Sequence, residues 1–71
     1  MRYAVKMLVN TNACYIGSDP NGIHTWAFYP DPRIILFDDV NKAVDVAIRT
    51  NGFVASEHDI KLGGNSIKEQ P

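Results

Sequence analysis

Apolar and polar positions alternate from Tyr3 to Val9. Tyr3, Val5, Met7 and Val9 fall on one side of an extended chain, and Ala4, Lys6 and Leu8 on the other. A period of two marks a strand with one apolar face. Asn10-Thr11-Asn12 is polar turn chemistry, and the short run Ala13-Cys14-Tyr15-Ile16 follows it. Asp19-Pro20-Asn21-Gly22 is the strongest turn signal in the chain. Proline presets φ at the first central position, asparagine tolerates the next, and glycine accepts positive φ. Ile23 to Tyr29 then returns as a strand, with His24, Trp26 and Phe28 on one face and Thr25, Ala27 and Tyr29 on the other. Residues 13–29 therefore read as a hairpin. Pro30-Asp31-Pro32 ends it, because neither proline can donate to a ladder.

Arg33 to Phe37 reads as a further short strand. Asp38 or Asp39 then caps the one helix the chain can form, accepting a bond from an orphan amide. Val40, Ala43, Val44, Ala47 and Ile48 recur at helical spacing and form a narrow apolar stripe, with Asp45 and Arg49 able to pair on the opposite side. Asn51-Gly52 supplies the left-handed stop. Phe53 to Leu62 reads as a last strand, with Val54, Ile60 and Leu62 in one phase around Ser56 and His58. Residues 63–71 have two glycines and no period, the pattern of a flexible tail.

The expected fold is thus α+β: one domain over residues 1–62, an antiparallel sheet of four to five strands with one helix packed across one face, in the order β-β-β-β-α-β. One helix can cover only one face of that sheet, yet several strands are apolar in both phases. Trp26 and Phe28 are the expected core under the helix. The face bearing Thr25, Ala27, Tyr29, Ala4 and Leu8 is left for a second copy or another protein.

Composition changes the picture mainly by exclusion. At 71 residues the chain is near the lower size for a core without staples, so association is an attractive source of stability. Cys14 has no partner for an internal disulfide, which fits a reducing compartment. Eight acidic and seven basic side chains are interspersed, without the basic excess of a nucleic-acid binder. The aromatic strand Ile23–Tyr29 likewise carries no interleaved basic residue, as a base-stacking platform would require. No apolar run suits a signal peptide or a membrane span, so a soluble cytoplasmic protein is the expectation.

Candidate chemistry is sparse. His24 and His58 are the two histidines, isolated from one another, and in a strand the carboxylates of Glu57 and Asp59 would point away from His58. They are the residues a small histidine-dependent nuclease would use, and the plainer reading makes both surface residues. Neither zinc spacing nor a phosphate-binding glycine loop is present, so no catalytic, cofactor or metal site is expected. Cys14 reads as a small buried hydrophobe rather than a nucleophile. The Pro30-Asp31-Pro32-Arg33 loop, one charge of each sign beside Tyr29, is a stiff recognition element. Tyr29, Asp31 and Arg33, with Thr25 and Leu8 on the spare face, form the expected partner-binding set.

The stretch Phe37-Asp38-Asp39-Val40 through Ala43, Ala47 and Asn51-Gly52-Phe53 resembles, in architecture, very small phage-encoded proteins that inhibit host RNA polymerase or act as anti-CRISPR and other anti-defence proteins. The likeness covers about residues 25–62 and includes no diagnostic motif. It implies a non-enzymatic protein that blocks a host or defence protein by surface binding in the host cytoplasm, and no family binding residue carries over. Phe28-Tyr29-Pro30-Asp31 gives a second, weaker likeness to HicB-type antitoxins, but the family's glycine-cysteine turn and DNA-binding segment have no counterpart here. A homodimeric structural or antitoxin-like module is therefore an alternative reading.

Overall fold

The computed structural model of the chain describes residues 1–61. The fold is α+β, as the pattern predicts. Strands β1 (Tyr3–Met7), β2 (Ala13–Ser18) and β3 (His24–Phe28) precede helix α1 (Val40–Thr50) and strand β4 (Gly52–Ser56). The strands form one antiparallel sheet in the order β3-β2-β1-β4. The expected tail, and Leu62 of the expected last strand, lie outside the described residues.

The β2–β3 turn is made as its residues predict. Gly22 N–H donates to Asp19 O at 2.9 Å, and Asp19 Oδ1 accepts from the amides of Asn21 and Ile23, both at 2.9 Å. A bulge between Tyr15 and Gly17 twists this hairpin, and Gly17 sits there at φ +117°, a value that excludes a side chain without strain.

The segment 33–37 is only a single bridge. Tyr3 and Phe37 exchange backbone bonds of 2.8 and 2.7 Å, and Ile35 N–H donates to Tyr15 O at 3.2 Å. β1 and β2 pair in register only at Lys6↔Cys14, and residues 35–37 fill the gap where they splay. Beyond Ser56 the chain turns helical over residues 57–61, and Ser56 Oγ accepts from Asp59 N–H at 3.1 Å to cap that turn.

These two segments supply what one helix could not. The sheet face away from α1 carries a core of Ala4, Cys14 and Ala55, closed by Ile60 from the helical turn and by Ile34 and Leu36 from the bridging segment. Ala4, assigned to the spare outward face, is fully buried. The other face packs Val5 against Ala43 and Ala47, with Tyr3, Tyr15, Trp26, Phe37, Val46 and Val54 around them.

The helix stripe is rotated from the expected one. Ala43 and Ala47 are buried with Val46 beside them, whereas Val40, Val44 and Ile48 are exposed. Small alanines let the helix approach β1 and β4 closely, and this turns the larger residues to the flank. Asp39 is the N-cap, its carboxylate accepting from Asn41 N–H at 2.9 Å, and Arg49 pairs with Asp45.

Candidate binding surface

The expected partner-binding residues divide between three places. Asp31 and Arg33 close on each other: Asp31 Oδ1 accepts from the Arg33 amide at 2.8 Å and from Nε at 3.1 Å, and Oδ2 accepts from Nη2 at 2.9 Å. Those bonds hold the Asp31 carboxyl down at about 2. The loop is thus locked by its own charges, leaving Tyr29 and most of Arg33 exposed. Thr25 is half-buried, and its hydroxyl donates to Gly17 O at 2.7 Å across the bulge. Leu8 lies elsewhere, in a groove to which Tyr29, Asp31 and Arg33 contribute nothing.

That groove has a volume of about 360 Å³. Met7, Leu8 and Val9 form one wall, Ile23, His24 and Trp26 the other, and Thr50 and Asn51 close the end nearest α1. Leu8, Val9 and Ile23 are 60%, 91% and 61% exposed, a large solvent cost for aliphatic side chains. The lining contains no lysine, arginine, aspartate or glutamate.

Val9 and Ile23 were not among the expected binding residues. Each was read as the end of a strand. Their available signal is local: each is a large aliphatic residue directly beside a turn, before Asn10 and after Gly22. Trp26, expected as core, does both jobs, packing with the α1-side core and lining the groove. Phe28, expected under the helix, is exposed instead, because α1 lies over β1 and β4 and leaves the end of β3 uncovered.

Tyr15 stands between His24 and Trp26, with edge-on ring contacts of 5.9 and 5.7 Å. Its hydroxyl lies 3.1 Å from Ser18 Oγ, which in turn lies 3.2 Å from His24 Nδ1. A serine–histidine contact needs an orienting acid to serve as a nucleophile pair, and among the described residues no carboxylate hydrogen-bonds His24. His58 is exposed on the turn 57–61 rather than in a strand, and its neighbour Glu57 is bound to Arg2 by bonds of 3.0 and 2.8 Å. Cys14 is buried, and that burial pushes its thiol pKa up, away from the reactive thiolate. Among the described residues no three metal-ligating side chains gather, and no helix is long and apolar enough to cross a membrane.

No protein family, curated protein or solved structure matches this chain.

Proposed function

We propose that the protein is a non-enzymatic protein-binding module whose contact surface is the groove between Met7–Val9 and Ile23–Trp26. The carrying observation is the convergence of three exposed aliphatic side chains, Leu8, Val9 and Ile23, on a concave surface without charge. Such a surface suits an apolar, uncharged protrusion of another protein, because a charged insert would lose its hydration without gaining a partner. Trp26 at the groove wall is a rigid anchor of the kind that dominates interface energetics. Tyr29 and Arg33, presented by a loop held shut by the Asp31 carboxylate, form a second recognition element.

With the architectural likeness to phage anti-defence proteins, the reading becomes an inhibitor that blocks a host or defence protein by occupying its surface in the host cytoplasm. The test is a tagged pull-down from bacterial lysate, with the captured complex sized by light scattering. A stoichiometric partner should be retained by His58→Ala, which lies outside the groove, and lost on Val9→Lys or Ile23→Lys. Capture indifferent to both lysine variants overturns the groove assignment. Loss of the cellular phenotype with His58→Ala, while binding persists, would revive the nuclease alternative.

A further inference from the structure

The free edge of β4 and one flank of α1 together form a self-complementary surface, and we infer that it docks a second copy of this chain across a two-fold axis at Val54. Backbone bonding alternates along an antiparallel pair. Glu57 N–H donates to Arg2 O at 2.7 Å, so in the register of β4 with β1 the residues Ala55 and Phe53 also bond inward. Gly52, Val54 and Ser56 therefore turn their N–H and C=O groups away from β1. Among the described residues β4 is an edge strand of the sheet, and the outward groups of Gly52 and Val54 and the Ser56 N–H make no hydrogen bond, whereas the Ser56 carbonyl is taken up by the helical turn 57–61 that Ser56 caps. Within Gly52–Ser56 there is no proline and no charged residue, two devices that commonly blunt an open edge.

The helix decides which strand this edge accepts. Ala43 and Ala47 face the sheet, and Val46 leans toward Phe37 on the β2 side of β1, in a shallow groove with Lys42, Asp45 and Arg49. The opposite flank, with Val40, Val44 and Ile48, consequently overhangs β4. Positions 40, 44 and 48 on that flank are Val, Val and Ile, so it can meet its own image without like-charge repulsion. The charged residues all lie on the side turned away.

The geometry closes. A two-fold axis at Val54 pairs Val54 with its own copy and Gly52 with Ser56 of the other chain, so that Val54 exchanges both backbone bonds and each Ser56 N–H donates to a Gly52 carbonyl. α1 packs over β1 and β4, so its axis stands about one strand spacing, roughly 5 Å, from that two-fold axis. The two helices then lie about 10 Å apart, within the usual packing range for helices in contact. An eight-stranded sheet results, with the two apolar flanks buried against each other, and the groove of the proposed function remains open on each copy.

The experiment measures mass by light scattering, and amide exchange at Val54 by NMR, from micromolar to millimolar protein. The mass should rise from 7.9 kDa toward about twice that value, with Val54 protection growing in parallel. Ile48→Lys, at a side chain 72% exposed, should weaken association at least about tenfold without unfolding the monomer. Lys42→Gln on the other flank and Ile23→Lys in the groove should leave association unchanged. A chain that stays at 7.9 kDa at millimolar concentration overturns the inference, as does a dimer that Ile48→Lys does not weaken. Val54 protection independent of concentration also overturns it, by assigning the edge to the chain's own residues beyond 61. None of these outcomes bears on the groove, whose test is partner binding.

Discussion

Asn51-Gly52 ends the helix, and replacing Gly52 by alanine separates two reasons for a glycine there. Asn51, at φ 57° and ψ 39°, is the left-handed residue, and its N–H reaches the carbonyls of Ala47 and Ile48. Gly52 is required by crowding instead: a Cβ would stand 2.4 Å from Lys6 O, 3.0 Å from Val5 Cγ1 and 3.2 Å from Thr50 Oγ1. The oxygen belongs to the ladder joining β1 to β4, so it cannot swing aside as a side chain could. Overpacking of this kind costs about 1–3 kcal/mol. Restricting the unfolded chain by Gly→Ala offsets about 0.4–1 kcal/mol of that. At the middle of both ranges, about 2 and 0.7 kcal/mol, the net loss is about 1.3 kcal/mol, which lowers Tm by roughly 5–10 °C in a domain of this size. Asn51→Gly, which relieves a left-handed side chain, should change stability by no more than about 1 kcal/mol. Calorimetry on both variants decides. An unchanged Tm for Gly52→Ala, or a larger loss for Asn51→Gly, would refute the crowding argument.

Three further variants test local chemistry. Asp39→Ala should destabilise by about 1 kcal/mol in urea titration through loss of the N-cap bond to Asn41, with Asp38→Ala near neutral. Arg2 holds the Glu57 carboxyl below its ordinary pKa chiefly by direct hydrogen bonding. A depressed folded pKa contributes stability above the unfolded value of 4.5 that is lost as pH falls through the folded one. Acid titration of Arg2→Ala should therefore show a shallower loss below that pH than the parent, and identical acid limbs would remove the pair from the account.

The periodicity of this chain determined its first three strands and its helix, but not that 33–37 makes only one bridge or that the last strand ends at Ser56 and turns helical. Alternation placed β1, the hairpin and its Asp19-Pro20-Asn21-Gly22 turn, and spacing with an acidic cap placed α1. These signals are legible because each is carried by neighbours in the chain, through turn chemistry and capping bonds. Of the residues expected to bind a partner, Leu8 lines the groove and Tyr29 and Arg33 are exposed. The helix stripe was not legible to the residue. Val40, Val44 and Ile48 fit an apolar face as well as Ala43, Val46 and Ala47 do, and only contact with β1 and β4 selects the smaller set. The tertiary structure alone decided that Ile34, Leu36 and Ile60 cover the second face, because their burial depends on β1 and β2 splaying apart. It alone decided the groove, since Val9 and Ile23 meet through strand order and twist rather than through any spacing in the sequence.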